Sequence, residues 1–100
     1  MESSFLELRC KEVINVTDGK KLGHIVDIVF DLPSGKIKGL VVPMPNCGFS
    51  LFKPQQHIFI PYNQICKIGA DIILVEMYGN DIKQNTYVLN EPNNKKKMEK

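Results

Sequence analysis

The run Ile58-Phe-Ile-Pro-Tyr-Asn-Gln-Ile-Cys-Lys-Ile-Gly-Ala-Asp-Ile-Ile-Leu-Val75 sets the class of the whole chain. Its first residues, with His57, form a short β-rich segment that stops at Pro61, because proline has no N–H for a ladder. Tyr62-Asn63-Gln64 reads as a turn or one helical turn. A second strand follows over residues 65–69, and Gly69-Ala70-Asp71 turns the chain into the most apolar strand, residues 72–77. Strands of this length, spaced by turn residues, indicate a small all-β domain.

Upstream, residues 12–16 are rich in β-branched side chains and end at Thr17-Asp18-Gly19-Lys20. Asp-Gly favours a hairpin, since glycine takes positive φ without a Cβ clash. One strand is expected from about Lys21 to Asp31. His24, Val26, Ile28 and Phe30 fall on one face, and Ile25, Asp27, Val29 and Asp31 on the other. Leu32-Pro33-Ser34-Gly35-Lys36 closes it, and residues 37–42 form the next strand before Pro43 and Pro45. Two hairpins so close together imply a meander. No apolar period of 3.6 residues lasts beyond two turns, so the expected architecture is five to six short, mostly antiparallel strands.

Composition agrees with one small globular domain. The chain has 100 residues, 43% of them apolar and 24% charged, and no Trp, so one core of aliphatic side chains is expected. No run approaches the length of a membrane span. The N-terminus lacks the pattern of a signal peptide, and Cys10, Cys47 and Cys66 form neither an even set nor a CxxC spacing. These features read as a cytoplasmic protein with reduced thiols. The net charge of +2 lies entirely after residue 78, where Lys83, Lys95, Lys96, Lys97 and Lys100 exceed Asp81, Glu91 and Glu99. A neutral body argues against a broad nucleic-acid face. Residues 79–100 read as a polar, lysine-containing tail, largely disordered, after a domain over 5–78. Within the tail, Thr86-Tyr-Val-Leu89 is suited to one edge strand or to pairing across a homodimer.

The turn and strand order resembles a known family. Lys11-Glu-Val-Ile, Asp18-Gly-Lys-Lys-Leu-Gly23, Asp27 and Asp31-Leu-Pro-Ser-Gly-Lys-Ile37 are similar to the opening of a PRC-barrel domain. The 58–75 run is similar to the closing strands of the YlmC/YmxH group of PRC-barrel proteins, associated with sporulation in Firmicutes. The resemblance covers residues 5–77 and implies a PRC-type β-barrel that binds partners. Its other settings are the ribosome maturation factor RimM, where the domain helps bind a ribosomal protein, and the H subunit of photosynthetic reaction centres. Residues 46–57 depart from the group, with Cys47, Phe49, Phe52 and Pro54 where relatives are richer in glycine and charge.

Two readings of Phe49, Leu51 and Phe52 stay open: caps on one end of the core, or contact residues for a protein partner. A catalytic pair drawn from His24 or His57 with a cysteine lacks any surrounding signature. Cys47, His57, Cys66 and His24 lack the close paired spacings of zinc ligands. Asp27 and Asp31 share a strand face and read as solvated, and no phosphate-binding glycine motif exists. The expectation is therefore a module without enzymatic activity, cofactor or metal, acting in the cytoplasm through protein–protein contact. A ribosome- or RNA-associated factor, by analogy with RimM, and a self-associating structural protein are the alternatives.

Overall fold

The computed structural model describes residues 2–44 and 56–88. Among them are eight short strands in two four-stranded sheets that do not close on each other. This is an all-β small domain as expected, but with more strands than the five to six read from the sequence. The first sheet runs β2-β1-β7-β6, from Lys21–His24, Glu12–Asn15, Ile72–Val75 and Ile65–Ile68. The second runs β3-β4-β5-β8, from Asp27–Phe30, Ile37–Pro43, Gln56–Pro61 and Thr86–Val88. Tyr62–Gln64 is a 3-10 turn between β5 and β6.

The expected 21–31 strand is in fact two strands. The chain leaves the first sheet after His24, buries Ile25 in the core and enters the second sheet at Asp27. The alternation does not survive in β3 either, where Ile28 packs against the core, Val29 beside it is also half-buried, and Phe30 is exposed after a register shift between Val29 and Phe30. A ribbon that turns a corner between two sheets changes both its partner strand and the face it buries, which breaks a single period of two. The meander is accordingly divided: β1–β2 is a hairpin in one sheet, and β3-β4-β5 a meander in the other.

The apolar strand β7 sits between β1 and β6, and its composition follows from its faces, with Ile73 and Val75 fully buried and Ile72 and Leu74 half-buried. It pairs parallel with β1, Val13 beside Ile73 and Asn15 beside Val75, and antiparallel with β6. Val13, Ile73 and Val75 of this sheet meet Leu40, Val42, Ile58 and Ile60 of the other, with Leu22, Ile25 and Met77 completing the core. Val41 is fully buried on the opposite face of the second sheet, where the Phe59 ring leans over Gly39.

Two short helices escaped the strand reading. α1, Phe5–Arg9, is capped by Ser4, whose Oγ accepts from Glu7 N at 3.2 Å, and it buries Leu8. α2, Gly79–Gln84, starts where the Asp81 carboxylate accepts from Tyr78 N at 2.9 Å. Neither is long enough to carry a full apolar period. After the boundary expected at residue 78, α2 carries the chain to β8, and Phe59 N donates to Asn85 O at 2.9 Å. Residues 89–100 lie outside the described residues. No helix among the described residues is long and apolar enough to cross a membrane.

Candidate functional site

The β3–β4 turn is built from local side-chain bonds. Asp31 Oδ2 accepts from Ser34 N at 3.0 Å and from Ser34 Oγ at 2.7 Å. Lys36 N donates to Ser34 Oγ at 3.2 Å, and Asp31 N donates to Lys36 O at 2.8 Å. Gly35 occupies the left-handed region at φ +72°, which this Leu-Pro-Ser-Gly turn requires of one residue. The Ser34 hydroxyl and amide hold the Asp31 carboxyl below the ordinary carboxylate range, with Lys38 adding a smaller attraction.

This ordered turn presents apolar groups to solvent. Leu32 at its apex is 82% exposed, and Phe30 and Ile37, cross-strand neighbours at its base, are 53% and 42% exposed. Three large apolar side chains thus stand exposed on a tip whose backbone is already fixed, with little left to order. The sequence reading placed Phe30 on a strand face and Leu32 in a turn. The signal it passed over was a leucine at a turn apex, where polar residues are usual.

A second feature adjoins β3 at its other end. Phe5, Arg9, Cys10, His24, Ile25 and Val26 line an open cleft between α1 and the β2–β3 corner. His24 Nδ1 lies 3.1 Å from Arg9 O and 3.0 Å from Lys11 O. Both partners are acceptors, so Nδ1 carries the hydrogen and donates. The Cys10 thiol donates to Leu6 O at 3.3 Å.

The candidate chemical residues are dispersed. His24 and Cys10 belong to the α1 cleft, whereas His57 is buried in the second sheet with its ring 6.2 Å from that of Tyr87. Cys66 is an exposed thiol on β6. Among the described residues no three His, Cys, Asp or Glu side chains gather as metal ligands. Asp27 accepts from Ile28 N at 2.8 Å while Asp31 serves the turn, so the two carboxylates have separate structural engagements. Cys47, Phe49, Leu51 and Phe52 lie outside the described residues. The stem of their segment is closed by Met44 N donating to Gln56 O at 2.8 Å.

The 58–75 run supplies most of β5 together with β6 and β7, and residues 2–81 of the chain match the PRC-barrel domain model. The chain belongs to the PRC-barrel domain family. It is similar to the probable sporulation protein YlmC of Bacillus subtilis, 38% identical over 74 residues that cover 74% of this chain and 91% of the relative. An uncharacterized protein of Clostridium acetobutylicum is 35% identical over 68 residues, covering 68% and 77% of the two chains. The uncharacterized protein YmxH of Bacillus subtilis is 30% identical over 73 residues, covering 71% and 85%. The YlmC/YmxH resemblance thus holds for this PRC-barrel chain. The family match ends inside α2, so β8 lies just beyond it.

Proposed function

We propose that this PRC-barrel chain is a non-enzymatic binding module of a sporulating bacterium, acting in the cytoplasm through protein–protein contact. The observation that carries the reading is the hairpin tip, with Leu32, Phe30 and Ile37 exposed on a turn fixed by Asp31 and Ser34. Covering a fully exposed leucine is worth about 2 kcal/mol, so a partner gains from this tip at small ordering cost. The name of the relative YlmC, a probable sporulation protein, supports the sporulation setting. Exposed free thiols at Cys10 and Cys66 fit a reducing compartment. Phe49, Leu51 and Phe52 are a second proposed contact, separable from the tip by mutation.

Affinity capture from sporulating cells, identified by mass spectrometry, tests the reading. Wild-type chain is expected to enrich a protein that Leu32→Ser and Phe30→Ser no longer retain. Equal retention by these variants, with loss on Phe49→Ala and Phe52→Ala, moves the contact to the 46–57 segment. Co-sedimentation with ribosomal particles that weakens with salt points instead to the RNA-associated role.

A further inference from the structure

The hairpin tip carries charge as well as apolar bulk. Phe30 and Ile37 are cross-strand partners, Leu32 stands at the apex, and all three are exposed. Tyr62, also exposed, lies at the same end of the second sheet, because it follows Pro61, which pairs with Gly39 of β4. Lys36 and Lys38 flank Ile37 in the chain, and both are exposed. Neither lysine forms an ion pair among the described residues.

Asp31 is the one carboxylate within residues 30–38, and its Oδ2 takes both Ser34 bonds. Lys38 is the least of the influences on that carboxyl, behind both Ser34 bonds and desolvation, so Asp31 does not cancel the lysine charge. The tip thus holds two ammonium groups against one engaged carboxylate, on a body whose Lys/Arg and Asp/Glu balance over residues 1–78. A surface that covers Phe30, Leu32 and Ile37 also takes water from these lysines. A neutral apolar pocket leaves the ammonium groups desolvated without partners, and a basic one repels them. Nucleic acid supplies phosphates but no apolar wall for Leu32. Anionic lipid is recognised by clusters of about four to eight basic residues, and this tip has only Lys36 and Lys38. Carboxylates around an apolar pocket meet both requirements.

We propose that the hairpin tip docks into an apolar pocket of a partner protein whose rim carries Asp or Glu carboxylates. Leu32 enters the pocket, Phe30 and Ile37 lie against its walls, and Lys36 and Lys38 pair with the rim. The lysines then set which partner is accepted and how fast it is met, while the apolar groups hold it. The inference rests on the tip being a contact surface, as in the binding-module reading, and adds the chemistry of the partner.

Zero-length carbodiimide cross-linking of the full chain in extract of sporulating cells tests it, since the reagent joins an amine only to a carboxyl in contact with it. Mass spectrometry maps the linked residues. The expected products join Lys36 or Lys38 to Asp or Glu side chains of one partner protein, and they are lost in Leu32→Ser. Retention of that partner on immobilised chain is expected to fall about tenfold in raised salt and when Lys36→Glu and Lys38→Glu are combined. It is expected to persist when Lys36→Arg and Lys38→Arg are combined. Circular dichroism checks that each variant folds, and Leu32→Gln replaces Leu32→Ser if it does not. Retention that needs Leu32 but ignores salt and both lysines overturns the acidic rim while leaving the binding-module reading intact. Retention indifferent to Leu32, or no retained protein, overturns both. Pelleting with phosphatidylglycerol vesicles that is lost in Leu32→Ser, with no cross-linked protein, makes lipid the occupant and overturns the proposal.

Discussion

The side chain of Asn15 grips the backbone of Met77 with both ends of its amide. Nδ2 donates to Met77 O at 2.9 Å, and Oδ1 accepts from Met77 N at 3.0 Å. Both residues are fully buried. Asn15 is the last residue of β1, and Met77 lies two positions past the end of β7. The amide thus continues the parallel ladder as a side-chain surrogate after Val16 N donates to Val75 O at 2.9 Å. Thr17 Oγ1 adds a second donor to Met77 O at 2.7 Å.

Removing this amide leaves the buried Met77 N–H without its acceptor, while Thr17 still serves the carbonyl. Asn15→Ala is expected to destabilise the fold by about 3 kcal/mol, through the lost bonds and the unsatisfied donor. Asn15→Asp keeps the acceptor but sets a carboxylate against Met77 O, so it is expected to lose at least as much. Urea denaturation at neutral pH measures both.

Gly39 is held to glycine by space. A Cβ there meets the Ile60 carbonyl oxygen and lies 2.7 Å from the Phe59 ring. The first obstacle is backbone in the middle of β5, which cannot yield as a flexible side chain does. Gly39→Ala is expected to cost roughly 2–3 kcal/mol by overpacking. Phe59→Leu in the same chain is expected to recover only part of that loss, because the carbonyl remains. Thermal denaturation of the single and double variants distinguishes the two contributions.

The hairpin turn is expected to depend on pH through Asp31. Its carboxyl is lowered by the Ser34 hydroxyl first and the Ser34 amide second. A depressed folded-state value means the stabilisation is present above the unfolded carboxylate range and is lost as pH falls through the folded value. Ser34→Ala is expected to return the Asp31 titration toward the ordinary range, as followed by carboxyl chemical shifts. The unchanged titration of Asp31 in that variant would falsify the hydroxyl's role.

Tyr87 is expected to titrate above the usual phenol range. Burial raises it most, and the charge of Asp27 raises it further. A raised value stabilises the fold fully below the unfolded phenol value and loses that stabilisation as pH rises through the folded one. Asp27→Asn is expected to bring the Tyr87 transition down without restoring it to the ordinary value. The difference between ultraviolet titrations of the two chains reports this.

Local chemistry made much of the fold readable. Asp18-Gly19 and Ser34-Gly35 specify turns through backbone conformation and short-range bonds, which act whatever the rest of the chain does. Pro61 and the 3-10 turn at Tyr62–Gln64 follow from a missing donor and a short irregular segment. The closing strands were legible for the same reason, since each alternates or buries within a few residues. The exposed apolar tip was legible only in part, because a leucine beside a proline looks like any other turn residue until its neighbours Phe30 and Ile37 are in place.

The amino-acid sequence by itself therefore determined the all-β class, the turn positions and the family. Each rests on interactions that span only a few residues or on a shared linear pattern. Tertiary structure alone decided that residues 21–31 divide between two sheets, that β1 pairs parallel with β7, and that Asn15 is buried. It also brought Phe5 and Arg9 to His24, Ile25 and Val26. These outcomes depend on which faces bury one another across long stretches of chain, and burial is a property of the assembled core rather than of any local segment.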